Sequence, residues 1–238
     1  MPYLLPQRRC LLGLVSGLMA WMVVSCTPTD PASLRPLASD TVDLPAPAAI
    51  TPPVPPDLTV MTAAPALDQA AIWQRLQQPE QLYVVVLRHA LAPGSGDPAN
   101  FQLDDCATQR NLSAEGRAQA QQIGQAFRDR DVAVRQVWSS QWCRCLDTAA
   151  LMAVGPVEPL PALNSFFRDR RQATPQNEAL KAHFWQQAEQ PGVVVMVTHQ
   201  VNITELTDIV PRSGEAVVIQ VDETGLTHLG QFRPELTN

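Results

Sequence analysis

Leu82-Tyr83-Val84-Val85-Val86-Leu87-Arg88-His89 is the stretch that decides the fold. Its apolar run has no polar break and ends on two polar residues, which predicts a strand covered on both faces. A second run of the same kind, Val193-Val194-Val195-Met196-Val197, follows Pro191-Gly192 and ends on Thr198-His199. Between the two, Ser113 can cap a helix whose apolar face is Ala118, Ala120, Ile123, Gly124 and Phe127. Val134 to Trp138 reads as a strand, and Trp142 to Met152 and Glu178 to Ala188 read as helices. A helix carrying Ala71, Ile72, Trp73 and Leu76 precedes the first strand, and Ala216 to Val221 and Thr227 to Phe232 close the chain around a turn at Glu223-Thr224-Gly225. Strands alternating with helices predict an α/β fold: a three-layer sandwich with a mostly parallel central sheet and helices on both faces.

The N-terminal end has a different character. Arg8 and Arg9 precede an apolar run from Leu11 to Val24, too short to cross a bilayer comfortably, and the run closes on Ser25-Cys26. Residues 1–25 are expected to be an export signal, and the small residue before Cys26 resembles a bacterial lipobox, in which that cysteine is acylated. An ordinary signal peptide is the alternative, and both place the protein outside the cytoplasm. Residues 26–66 are crowded with Pro, Ala, Thr and Ser, including Pro52-Pro53 and Pro55-Pro56, and are expected to form an extended tether. The folded domain is expected over 67–238.

Removing the signal takes away two arginines and no acids, so the net charge moves from −6 to −8, which disfavours nucleic acid as a partner. Lys181 is the single lysine of the chain, so any cationic site must be built from guanidinium groups, which suit phosphate. Cys106, Cys143 and Cys145 remain for an oxidising compartment, which implies one disulfide and one odd thiol. Cys106 can pair with Cys143 or with Cys145. A zinc site would lack an evident fourth ligand, and no metal or organic cofactor is expected.

Ligands of open α/β sheets bind beyond the carboxyl ends of the strands, and three strands deliver polar residues there: Arg88-His89, Ser139-Ser140 with Arg144, and Thr198-His199. Two imidazoles and two guanidinium groups together can neutralise a phosphoryl group. The order and context of these segments look like a family. Val86-Leu87-Arg88-His89-Ala90 resembles the Arg-His-Gly signature of the histidine phosphatase (phosphoglycerate mutase-like) superfamily, with alanine where glycine is usual. Asn111 to Ala120 is similar to its Leu-Thr/Ser-x-x-Gly-x-x-Gln-Ala helix start. Ser139-Ser140, Arg144 and Asp147-Thr148-Ala149 resemble its Ser-Ser-x-x-x-Arg-x-x-x-Thr-Ala segment, and Val197-Thr198-His199 its second-histidine strand. The resemblance covers about Tyr83 to Val221.

The resemblance implies a phosphoglycerate mutase-like fold and a phosphomonoester hydrolase in which His89 attacks phosphorus and becomes a phosphohistidine. Arg88, Arg144 and His199 would bind the phosphoryl oxygens. Leu163-Asn164-Ser165 resembles a family Leu-Asn-Glu stretch with serine at the acid position, so the proton donor is open among Asp104, Asp105, Asp169 and a bound water. Asp147 is read either as orienting Arg144 or as a solvated carboxylate, and Arg168-Asp169-Arg170-Arg171 as a solvated charge run or an anion-contact patch. The expected partners are a phosphorylated small molecule or envelope phosphate and, through the lipid anchor, the membrane. The rival reading is a non-catalytic lipoprotein that binds a phosphorylated ligand, supported by Ala90 and the missing acid.

Overall fold

The computed structural model of the protein describes residues 61–234. The expected export signal, Cys26 and most of the expected tether lie outside the described residues. The ordered elements are β1 (Met61–Ala63), α1 (Gln69–Gln77), β2 (Leu82–Arg88), α2 (Ala114–Arg128), β3 (Val134–Ser139), α3 (Cys143–Met152), β4 (Val157–Pro159), α4 (Ala173–Gln187), β5 (Gly192–Thr198), α5 (Gln200–Thr207), β6 (Ala216–Asp222) and β7 (Gly225–Phe232). They build one sheet in the order β1-β7-β6-β2-β5-β3-β4. The pairs β1 with β7, β2 with β5, β3 with β5 and β3 with β4 are parallel, whereas β6 runs antiparallel to β2 and β7. The sheet is therefore mixed, with its parallel part centred on β2 and β5.

The unbroken apolar runs of β2 and β5 have a physical reason to lack polar positions. Alternate side chains enter two different cores, because successive residues of a strand point to opposite faces. Tyr83, Val85, Leu87, Val193, Val195 and Val197 pack with Ile72 and Trp73 of α1, Ile123 and Phe127 of α2, and Ala149 and Met152 of α3. Leu82, Val84, Val86, Val194 and Met196 pack with Leu180 and Phe184 of α4 and Ile203 and Leu206 of α5. Both faces are thus covered.

Local chemistry sets the helix starts. Asp68 caps α1 by accepting from the Ala71 N–H at 2.8 Å, and Ser113 caps α2 by accepting from the Gly116 N–H at 3.0 Å. Two features depart from expectation. Met61–Ala63 pairs in register with Leu226, Thr227 and His228, so ordered backbone begins inside the stretch expected as tether. The reason is local: Met61 to Ala63 holds no proline and includes the β-branched Thr62, so its backbone can donate to an edge. The short β4 and α5 were not anticipated, because three or eight residues carry too little periodicity to register.

Helices α2 and α3 approach closely at Gly124, where an added Cβ would lie 1.8 Å from the Met152 carbonyl oxygen. Gly124→Ala is therefore expected to lower unfolding stability by about 2 to 3 kcal/mol, read by denaturant titration, since backbone and not a flexible side chain blocks the space.

Candidate active site

The strand ladders deliver the site residues to one edge. The His89 N–H donates to the Thr198 carbonyl at 2.9 Å, continuing the β2 to β5 pairing one residue past the strand. The Ser140 N–H does the same toward the Val197 carbonyl at 2.9 Å, from β3. His89 and His199 consequently face each other with ring centroids 5.6 Å apart. Arg144, in the first turn of α3, reaches between them.

The three side chains are almost fully buried, and their hydrogen bonds fix the tautomers. His89 Nδ1 lies 2.8 Å from the Ala90 carbonyl, which can only accept, so Nδ1 carries the proton. Its Nε2 lone pair is then free to accept from Arg144 Nε at 3.2 Å. Arg144 Nη2 lies 3.2 Å from His199 Nδ1, and the Ser140 hydroxyl 2.8 Å from His199 Nε2. His199 thus carries its proton on Nε2 and turns Nδ1 to the guanidinium. Burial first, then the charge of Arg144, brings the pKa of His89 down to about 3, and the same causes hold that of His199 well below its ordinary value. Both rings are neutral above mild acidity.

These groups line a pocket of about 190 Å³ together with Arg88, Asp97, Arg110, Arg170, Ser165 and Phe167. Arg88 Nη1 donates to the Pro211 carbonyl at 2.8 Å, and its Nε is buried without a hydrogen-bond partner among the described residues. Arg110 Nε donates to the Gly96 carbonyl at 2.8 Å and its Nη1 to the Ala92 carbonyl. Burial and the charge of Arg144 lower the pKa of both arginines, the signature of a cationic pocket. Ala90, at the position where glycine resembles the family, has no left-handed backbone and packs with Ala92, Leu112 and Ala120, while its N–H donates to Thr148 Oγ1 at 3.0 Å. Alanine fits this position without strain.

The structure brings His89, Arg88, Arg144 and His199 together. It does not bring the proposed donors. Asp104 and Asp105 are exposed, with Asp105 capping a short turn at Ala107, and Asp169 is spent on Arg171 at 2.7 Å. None lines the pocket. Asp147 pairs with exposed Arg117 at 3.5 Å and does not orient Arg144. The carboxylate that does so is Asp97, 2.6 Å from Arg144 Nη1, with the Trp142 indole N–H donating to it at 3.0 Å. Burial pushes the Asp97 carboxyl up, but the hydrogen bond and charge of Arg144 outweigh it and hold the pKa below the usual value. Asp97 and Arg110 were missed in the sequence because both sit in an irregular loop. The one available signal was Gly94-Ser95-Gly96-Asp97, a turn-rich stretch close behind His89.

Cys106 pairs with Cys143, Cα to Cα 5.7 Å, and Cys145 is free and buried beside His199. Burial pushes the Cys145 thiol up to about 12, so it is inert as a nucleophile. The bridge ties the loop carrying Asp97 and Arg110 to the first turn of α3, beside Arg144.

The two neutral imidazoles predict how stability responds to acid. In the unfolded chain each histidine gains a proton near its ordinary pKa of about 6.5, whereas in the folded chain it does not until much lower pH. The unfolded state therefore binds more protons in that window, so stability is full above about pH 6.5 and falls as the pH drops toward the folded pKa values. The expected slope is up to about 1.4 kcal/mol per pH unit for each ring. Chemical unfolding at a series of pH values checks this, and His89→Gln should flatten the slope.

Residues 84–189 match the family model described as the histidine phosphatase superfamily, branch 1. No curated protein matches the chain. Among solved structures, a protein from Escherichia coli K-12 assigned as an alpha-ribazole-5'-P phosphatase is 16% identical, with 66% of this chain and 100% of that chain covered and a TM-score of 0.51, a likeness of fold. A phosphoserine phosphatase mutant from Entamoeba histolytica in complex with phosphoserine is 13% identical over 66% of this chain and 100% of that one, TM-score 0.49. The protein histidine phosphatase SixA complexed with tungstate is 18% identical over 64% and 97%, TM-score 0.46. The order of the signature segments, their convergence at one sheet edge and the family match agree: residues 84–189 of this chain are similar to the histidine phosphatase superfamily.

Proposed function

We propose that this protein hydrolyses a phosphomonoester by way of a phosphohistidine on His89. One observation carries the reading. A neutral imidazole, its Nδ1–H anchored on the Ala90 carbonyl, turns the Nε2 lone pair into a pocket lined by Arg88, Arg110, Arg144 and Arg170. An anionic phosphoryl group is drawn to that charge and meets an unprotonated nucleophile. Attack makes the imidazole cationic, and the Ala90 carbonyl then accepts a charge-assisted bond. Arg88 and Arg144 hold the equatorial oxygens, where charge gathers in a loose transition state, His199 joins them once the arriving dianion draws a proton onto its Nδ1, and water hydrolyses the phosphohistidine. The reading needs no metal or organic cofactor.

The proposal extends to place and substrate. The basic, apolar and Ser25-Cys26 sequence of residues 1–26 supports export and a lipid anchor, and the Cys106 to Cys143 bridge suits an oxidising compartment. A phosphate of the cell envelope or a phosphorylated small molecule outside the cytoplasm is then the substrate, and the anchor sets the domain at a membrane surface.

Purified protein should release phosphate from a chromogenic phosphate ester, and His89→Ala should reduce turnover by at least about 10³-fold while still binding phosphate. Rapid acid-free quenching should trap label on His89. Phosphate binding without turnover in the parent would leave only a phospho-ligand-binding role. Metabolic labelling with a fatty acid tests the anchor: label is expected on the parent and not on Cys26→Ala.

A further inference from the structure

Arg144 has no N–H to spare. A guanidinium carries five. Nε donates to His89 Nε2 at 3.2 Å, and Nη2 to His199 Nδ1 at 3.2 Å and Asp97 Oδ2 at 3.3 Å. Nη1 donates to Asp97 Oδ1 at 2.6 Å and approaches the Arg110 carbonyl at 3.5 Å. A phosphoryl group that uses Arg144 must therefore take the place of an existing acceptor. His89 gives up one when its Nε2 lone pair turns to phosphorus. The other acceptor with the right shape is the Asp97 carboxylate, which grips both terminal nitrogens in the two-pronged manner a phosphoryl group uses.

We propose that Asp97 is the proton donor of this site, and that the arriving phosphoryl group readies it by taking its place on Arg144. The proposal rests on the hydrolase reading above. Two anions cannot share one guanidinium edge with their charges intact, and a like charge at contact distance favours the protonated carboxyl. Asp97 loses the partner that kept it ionised and takes up a proton as the dianion enters. Its backbone stays in place, because Arg168 Nη2 donates to the carbonyls of Asp97 and Pro98. Gly94 and Gly96, at φ 89° and 66°, give the preceding loop its turn. The displaced side chain remains at the pocket wall, where Asp97 is the single carboxyl among the described lining residues. Ser165, at the position where the family resemblance places an acid, lines the same pocket, but its hydroxyl is far too weak an acid to serve as the donor.

The step balances. His89 Nε2 forms a bond to phosphorus while the P–O ester bond breaks and its electron pair goes to the leaving oxygen. That oxygen takes the Asp97 proton, leaving a carboxylate. Water then attacks the phosphohistidine, its proton passes to Asp97, the P–N bond breaks, and phosphate departs.

The full-length parent, Asp97→Asn and Asp97→Ala are compared on p-nitrophenyl phosphate, whose leaving group needs no proton, and on glycerol 2-phosphate, whose alkoxide does. Inorganic phosphate affinity is measured beside them by thermal shift. The expected result for Asp97→Asn is a fall in kcat of about 10² to 10⁴ on the alkyl ester and less than about tenfold on the aryl ester. Phosphate should bind both variants as tightly as the parent or more tightly, since a competitor is gone. Asp97→Asn keeps a hydrogen-bond acceptor for Arg144 and guards against a folding defect in Asp97→Ala. Equal losses on both esters, or weaker phosphate binding by both variants, would assign Asp97 to holding Arg144 and overturn the proposal. A parent that binds phosphate but turns over neither ester removes the hydrolase reading, and the proton-donor role with it. That outcome is recognisable because the parent itself fails.

Discussion

Everything chemical in this domain depends on the Arg144 guanidinium held between two neutral imidazoles. A cation beside a buried histidine makes protonation unfavourable, and burial adds to the effect, so His89 and His199 both offer lone pairs where free histidine would be partly protonated. The same cation is what an oxyanion needs. One side chain therefore keeps His89 unprotonated and supplies the charge that draws an oxyanion, the two conditions the proposed reaction requires. The arrangement needs an anion to balance it when the pocket is empty, and Asp97 meets that need. Removing one partner of a buried ion pair costs about 3 to 5 kcal/mol, which keeps Arg144 in place.

The fold supplies the positional accuracy. His89 and Ser140 each extend a parallel ladder onto β5 by one hydrogen bond beyond the strand, so their backbones are held as firmly as the sheet itself. Further bonds fix what the sheet does not reach. Thr148 Oγ1 donates to the Arg144 carbonyl at 2.7 Å and accepts from Ala90, joining α3 to the residue after His89. Gln109 Oε1 accepts from the Cys143 N–H at 3.0 Å, beside the disulfide, which secures the loop of Asp97 and Arg110 to the helix that carries Arg144. Side chains held by rigid elements and a surrounding set of bonds lose little freedom when a ligand arrives, which is the condition for electrostatic catalysis.

The strands and helices of the domain could be read from the sequence because two faces of one sheet leave an unbroken apolar run, and capped amphipathic helices leave a period. The same logic placed Arg88, His89 and His199 at strand ends and Arg144 in the first turn of a helix. Asp97 escaped, because its role depends on a loop closing across 47 residues onto Arg144, and nothing periodic marks that closure. Asp104, Asp105 and Asp169 looked equally good by residue type. Only tertiary contact separates a carboxylate facing the pocket from one facing water. The choice between Cys143 and Cys145 was open for the same reason: neighbours two apart on a helix differ in direction, and the orientation of α3 decides which one meets Cys106.

The chemistry of the site requires His89 to keep Nε2 free of a proton while Nδ1 holds one. Nitrogen NMR of the protein labelled in its histidine rings, followed from neutral pH down to about pH 5, reads both atoms directly. The expected result is a His89 Nε2 resonance of the unprotonated type that does not titrate over this range. A His89 ring that titrates near the ordinary histidine pKa of about 6.5, or that carries its proton on Nε2, would contradict it.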